Sequence, residues 1–168
     1  VTKTIGTSSR DYSTIVAWEA DLSDASIYSD SDDAVGTMYA DSTFTDATVT
    51  IDGGTSIGSS SGHDLNSVKL TVASASRHDG TAESGALLKP TSGSGHGNGI
   101  IRMAVDNVTI EWLDISMDSL DSTNTNSCIK LVTGTGNFTS NLGTLLTIPN
   151  HLLQGQWRLA GESTASFA

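Results

Sequence analysis

Apolar residues recur along this chain in two different rhythms. Between residues 13 and 22, Ile15, Trp18 and Leu22 fall at i, i+3 and i+7 with Ala17 and Ala20 between them, so one face of a helix is apolar. Ser13, or failing that Asp11, offers the N-cap oxygen for the first free amides. A helix this short does not persist alone in water, because nucleation is costly, so it must lie on an apolar surface. After it the rhythm is two. "ATVTIDGG" sets Val49 and Ile51 against Thr48 and Thr50 and ends in an Asp-Gly-Gly turn. "SVKLTVAS" puts Val68, Leu70 and Val72 inward, with Lys69 and Thr71 outward. In "GIIRMAVDNVTIEWLDISMD", Ile101, Met103 and Val105 alternate, Asp106-Asn107 turns, and Val108, Ile110 and Trp112 alternate again. The phase slips at Trp112-Leu113, after which Leu113, Ile115 and Met117 share a side; such a slip marks a bulge or a corner between strands. "CIKLVTG" adds Ile129 and Leu131.

The centres of these runs, Ile51, Leu70, Ile110 and Ile129, lie roughly 20 residues apart, or twice that across the gap holding Leu87 and Leu88. A recurrence of this kind belongs to solenoids, in which each coil stacks on the last. The gaps contain no helical pattern long enough for βαβ units, so parallel strands without crossover helices predict an all-β chain, a parallel β-helix, with a sandwich as the competitor. A β-helix has open ends that expose unpaired backbone and core. The helix over residues 13–22 then reads as an N-terminal cap on one of them.

Composition agrees with an all-β reading. Hydrophobic residues make up 36% of the 168, below the roughly 45–50% of a typical globular chain counted with glycine. Ser, Thr and Gly dilute them rather than charge, which separates the chain from an acidic disordered tail. Eight basic residues against nineteen acidic ones leave a net charge of −11, which repels phosphate backbones and anionic membranes, so neither nucleic acid nor membrane is an expected partner. Cys128 is the single cysteine and reads as a small core residue rather than a nucleophile. No signal-peptide core opens the chain and no apolar run approaches a membrane span, so a soluble chain is expected, unexported by any visible signal or already processed. Asn107 and Asn137 match the glycosylation pattern by chance in such a chain.

"RDYSTIVAWEADL" resembles the opening helix of right-handed parallel β-helix proteins of the pectate-lyase-like superfamily. "VGTMYADSTFTDATVTIDGG", "KLTVASASRHDGTAESGALLKP" and "DNVTIEWLDIS" look like successive rungs of such proteins of the phage and environmental type. The resemblance covers roughly residues 2 to 133 and implies a short right-handed β-helix of about five rungs. It divides the chain into a β-helix domain, 1–133, and an irregular C-terminal segment, 134–168, for capping or oligomerisation. The superfold carries lyases, esterases, tailspike depolymerases and inert virion proteins alike, so function has to come from sites.

The densest polar constellation is "ASRHDGTAESG", with Arg77, His78, Asp79 and Glu83. As a catalytic set, Asp79 or His78 would be the base and Arg77 would stabilise a developing enolate, as polysaccharide lyase chemistry needs. As a turn, Asp79-Gly80 sets the backbone and Arg77 pairs with Asp79; the turn is favoured, because consecutive strand residues alternate sides. Asp30, Asp32 and Asp33 lie close together in a loop that invites Ca²⁺, although Val35 stands where an EF-type loop needs glycine. His63 and His96 lack the spacing of a metal pair, and "GSGHGNG" lacks the Lys and the strand-to-helix setting of a phosphate loop. Asp106 and Asp114, or Glu111 on an outward face, are candidates to line a groove, with plain solvation as the equal alternative.

These features tilt toward a non-enzymatic structural component of a phage-like virion, as a capsid decoration, fibre or tail-associated protein, located on the particle or otherwise extracellular. A carbohydrate-binding or polysaccharide-degrading protein is the alternative. Exposed aromatics, the usual sugar platforms, are scarce: Trp, Tyr and Phe total nine. No cofactor is expected beyond the Ca²⁺ option. After Gly134 the rungs stop, yet Leu142, Leu145, Leu146, Ile148, Leu152, Leu153, Trp157 and Leu159 remain apolar. They have to be buried, and the expected partners are copies of the same segment about a symmetry axis, in a homotrimer, together with other virion proteins.

Overall fold

The computed structural model describes residues 1–46, 48–52, 65–81, 83–90, 100–105, 107–116 and the backbone of 129–131. Its first strand, β1 (Thr2–Ile5), leads through a loop into α1 (Ile15–Ala20) and a 3-10 turn, Asp21–Ser23. There follow β2 (Asp33–Met38), β3 (Thr43–Phe44), β4 (Val49–Ile51), β5 (Ser67–Val72), β6 (Leu87–Leu88), β7 (Ile101–Met103), β8 (Val108–Ile110), β9 (Asp114–Ile115) and β10 (Ile129–Leu131). Among the described residues α1 is the one α-helix, and the chain is otherwise strand-rich, as the alternating runs predict.

Every strand pairing among the described residues is parallel. One sheet has the order β1-β2-β5-β8, a second β3-β6-β9, and a third β10-β7-β4, so from β2 onward the chain visits the three sheets in rotation. Alternation explains which face of each strand is buried. Val68, Leu70 and Val72 in β5, and Val49 and Ile51 in β4, point into one core shared by all three sheets, while Lys69, Thr71 and Thr50 point away.

The stacking differs from the roughly 20-residue recurrence in the sequence. Ile51 and Leu70 lie in different sheets and do not stack; Ile51 is in register with Met103, and Leu70 with Gly36 and Ile110. One return to the same sheet takes 34 residues from Asp33 to Ser67 and 40 from Val68 to Val108, because it includes three strands and their loops. Leu87 and Leu88, inside the apparent gap, are themselves β6. The phase slip at Trp112 is a corner: β8 ends in the first sheet, Trp112 takes φ 63°, and β9 begins in the second.

The helix forms at the expected place with a different cap. Thr14, rather than Ser13 or Asp11, has the extended N-cap backbone, and its Oγ1 accepts from Ala17 N at 3.1 Å. Asp11 is engaged elsewhere: its Oδ2 accepts from the Thr4 amide and hydroxyl, both at 2.7 Å. The α-helix is six residues long, and Leu22 is brought in by the 3-10 turn that follows. Ile15, Trp18 and Leu22 are fully buried, and α1 packs on β1 and β4. Trp18 fills the inward position that Gly36 leaves empty in β2, where a Cβ would lie 2.8 Å from the indole. Its Nε1 donates to the buried Tyr28 hydroxyl at 3.1 Å. Burial pushes the Tyr28 hydroxyl above its ordinary pKa. Glu19 Oε1 accepts from Asp52 N just past β4, so the helix also satisfies an amide at that sheet's end.

Candidate functional site

Among the polar residues singled out in the sequence, Arg77, His78, Glu83, Glu111 and Asp114 lie at or beside the corner between the first and second sheets. β5 leaves the first sheet at Val72, runs through a 3-10 turn, Ser74–Ser76, and enters the loop that carries Arg77, His78 and Asp79. The register between β5 and β8 brings Trp112, just beyond β8, alongside the end of β5. There the Arg77 guanidinium lies 4.4 Å from the indole centroid and its Nε donates to the Val72 carbonyl at 3.3 Å. The His78 ring sits 6.0 Å from the indole, tilted by 44°. Gly85 closes the loop: a Cβ there would meet His78 N at 2.5 Å.

Asp79 points elsewhere. It is exposed, its Oδ1 accepts from Thr81 N at 2.9 Å, and its own amide donates to Ser84 Oγ at 3.1 Å. The Thr81 amide, with help from the Ser84 and Thr81 side chains, holds its carboxyl below the usual range. The turn reading therefore holds for Asp79, while the expected Arg77–Asp79 pairing is replaced by Arg77 stacking on Trp112. The reason is geometric, since neighbouring residues in this loop face different elements. A base and a cation acting on one substrate would have to converge on it.

Glu83 and Asp114 form the floor of the corner. Asp114, expected to line a groove or to be solvated, is 3% exposed in β9, and its Oδ2 accepts from Glu83 N. That bond helps hold Glu83 at φ 61°, a left-handed conformation uncommon for a side-chain-bearing residue. Glu83 Oε1 accepts from Lys89 Nζ at 2.9 Å and Ser116 Oγ at 3.1 Å, and the Lys89 bond leads in lowering its pKa. Glu111 sits beside the corner with Lys69 Nζ at 2.6 Å and Thr71 Oγ1 at 2.8 Å. Burial pushes the Glu111 carboxyl up, but these two partners outweigh it, leaving the pKa lowered.

A second polar hub lies at the corresponding corner after β2. Asp41 accepts from Thr7 N at 2.9 Å, Ser8 N at 3.3 Å and Arg10 Nε at 3.1 Å, and the Arg10 guanidinium stacks 3.5 Å from the Tyr39 ring centroid. Gly6 is glycine because a Cβ there would meet the Asp41 carboxylate at 2.5 Å. Asp41 does not stand out in the sequence, and nothing there marks Asp114, a groove candidate, as a buried acceptor. The one local clue to the Arg77–Trp112 corner is the phase slip beside Trp112.

The three aspartates of the calcium reading are divided between elements. Asp33 opens β2 rather than lying in the loop, and its Oδ1 accepts from Asn66 Nδ2 at 2.7 Å and Ser67 Oγ at 2.6 Å on the neighbouring strand segment. Asp32 Oδ2 accepts from Ser29 N at 2.7 Å, within the turn. Among the described residues no group of three or more His, Cys, Asp or Glu is placed to hold a metal ion. His63, His96, Asp106, Cys128 and the C-terminal residues Leu145, Leu146, Ile148, Leu152, Leu153, Trp157 and Leu159 lie outside the described residues. No helix among the described residues is long and apolar enough to cross a membrane.

Comparison with protein-family models, with curated proteins and with solved structures finds no match to this chain.

Proposed function

We propose that this chain is a non-catalytic structural module, a short right-handed parallel β-helix capped by the segment of residues 13–22, serving in a phage-like particle as a decoration, fibre or tail-associated protein. The observation that carries this reading is how the candidate catalytic groups are used. Arg77, Asp79, Glu83, Glu111 and Asp114 each bind a group of the chain's own framework at the corners. Polar groups committed in this way stiffen a scaffold instead of meeting a substrate. The β-helix assignment draws on the parallel pairings, the rotation of the chain through three sheets, the common core, and the resemblance of residues 2 to 133. Placement on a particle rests on the resemblance alone.

The test is incubation of the purified chain with alginate, polygalacturonate and hyaluronan, followed by viscosity and by absorbance of unsaturated uronates. No change is expected, and Arg77→Ala, His78→Ala and Asp79→Ala are expected to alter melting temperature at most. Cleavage lost in a folded Asp79→Ala protein would overturn the structural reading in favour of a lyase.

The same proposal assigns residues 134–168 to self-association, as a homotrimer. Sedimentation equilibrium at micromolar concentration is expected to give about three times the 17.4 kDa chain mass, and removal of residues 142–168 to give a poorly soluble monomer. A full-length monomer would refute the trimer and leave the segment as a cap.

A further inference from the structure

The two ends of the coil stack are finished differently. At the first end β1 lies beside β2, and α1 packs on β1 and β4. At the other, β8, β9 and β10 each have a strand on one side only among the described residues. Yet the last coil is as buried as the middle ones: Ile110 is 0% exposed, Leu113 1%, and Val108 and Ile115 3%. In a solenoid each coil is covered by its neighbours, so the inward side chains of a terminal coil with nothing beyond it would meet water. No described strand or helix lies beyond β8 and β9, so their burial calls for a further part of the chain.

The observed registers say where in the sequence to look. Returns to the first sheet take 33 residues from Thr2 to Val35, 34 from Asp33 to Ser67 and 40 from Val68 to Val108. A further return of 33 to 40 residues from Val108 opens a strand within residues 141–148, and that window ends in Leu146-Thr147-Ile148. The triplet matches Val49-Thr50-Ile51 of β4 and Val108-Thr109-Ile110 of β8, in which the outer two residues are buried and the threonine is half-exposed. The next step matches as well. Asp114 opens β9 six positions after Val108, and Leu152 stands six after Leu146, opening a Leu-Leu pair like Leu87-Leu88 of β6. In the third sheet Ile129 is in register with Ile101, 28 positions earlier, and 28 positions later stands Trp157. Ile101-Arg102-Met103, Ile129-Lys130-Leu131 and Trp157-Arg158-Leu159 share one apolar-basic-apolar pattern. Pro149 comes directly after Ile148, past the end of the matched strand, where a missing N–H breaks no ladder. A 20-residue period places no rung after Gly134; the three-strand coil does.

We propose that residues 146–159 of the same chain dock on the outer edge of the last described coil as a fourth coil. Leu146 to Ile148 lie beside β8, Leu152 and Leu153 beside β9, and Trp157 to Leu159 beside β10, all parallel, with Val108 opposite Leu146, Asp114 opposite Leu152 and Ile129 opposite Trp157. Three short strands added in register continue the inward rows of the three sheets and cover Val108, Ile110 and Ile115. The inference rests on the β-helix reading of the fold and not on the trimer. Leu142 and Leu145 fall outside the matched strands, which leaves them for contact between copies.

The experiment is disulfide trapping in the full chain, with Cys128→Ser removing the native thiol. Residues in register on adjacent strands are about 4.8 Å apart, inside the Cα range of a disulfide, about 4.4–6.8 Å. Thr109→Cys/Thr147→Cys is expected to close an intrachain disulfide on mild oxidation, read by non-reducing gel mobility and by mass. Thr109→Cys/Thr144→Cys, three positions off register, is expected to stay largely reduced. Thr37→Cys/Thr71→Cys, in register between β2 and β5, checks the described stacking. If that pair closes while Thr109→Cys/Thr147→Cys stays reduced or links two chains, the fourth coil is overturned and the stacking stands. If neither pair closes, the β-helix reading falls together with the coil. Sedimentation of the trapped protein reads the trimer separately. If the cysteine variants do not fold, hydrogen exchange of the wild-type chain decides: protection of the amides of 146–148 and 157–159 equal to that of β8 supports the coil, and exchange at the unfolded-chain rate overturns it.

Discussion

Trp18→Ala is expected to destabilise the protein by about 3–5 kcal/mol, the range for removing a fully buried large aromatic. Trp18 is completely buried, its indole occupies space that Gly36 cannot fill, and its Nε1 is the hydrogen-bond donor to the buried Tyr28 hydroxyl. Truncation therefore leaves both a cavity and a polar group that has lost a partner. Trp18→Asp adds a carboxylate in an apolar site. Since whole domains are stable by only about 5–15 kcal/mol, that variant is expected to be largely unfolded and prone to aggregate. Urea unfolding monitored by circular dichroism measures both. An unchanged midpoint in Trp18→Asp would mean that the α1 segment is not packed on the sheets.

Asp41→Ala is the second large effect, expected at about 2 kcal/mol from the loss of charge-assisted bonds to the Thr7 and Ser8 amides and to Arg10. Burial alone would raise the Asp41 pKa, but the Thr7 amide, Arg10 and the Ser8 amide outweigh it, so the folded pKa is lowered. A carboxyl whose pKa falls on folding stabilises fully above its unfolded value, about 3.9, and loses that contribution as pH drops through the folded value. Asp11 and Glu111 are lowered too, so the wild-type protein weakens below about pH 4 through several groups at once. The part due to Asp41 is read as a difference: between neutral pH and pH 3, Asp41→Asn is expected to lose less stability than wild type. Parallel pH profiles of the two proteins would show instead that the loop from Gly6 to Arg10 is not held by the ionised carboxylate.

The sequence by itself determined that the runs of β4, β5, β7 and β8 are strands, which of their faces are buried, and where one helix must lie. Those are local properties. Alternation in "ATVTI", "SVKLTV", "IRM" and "VTI" reports the two-residue pleat, and Ile15, Trp18 and Leu22 report a helical face, whatever the rest of the chain does. The slip at Trp112 was legible as a bulge or a corner for the same reason, and the structure makes it a corner. β2 was harder to read, because its inward row is Ala34, Gly36 and Met38, and glycine carries no hydrophobic signal; it is there because Trp18 reaches in from another element.

Only the tertiary structure decided which strands stack. Register depends on loop lengths between strands, and these vary: 44 residues separate Thr43 from its partner Leu87, but 27 separate Leu87 from Asp114, so no single period in the sequence carries it. Polar partners followed the same rule. Thr14 rather than Ser13 caps α1, and Asp11 turns to Thr4. Arg77 turns to Trp112 rather than Asp79, and Asp114 is buried beneath the Glu83 amide. The last two contacts join residues far apart along the chain, and stacking in parallel brings together what the chain separates by 30 residues or more: Asp41 grips a loop 34 positions earlier at Thr7, and Thr71 meets Glu111 across 40.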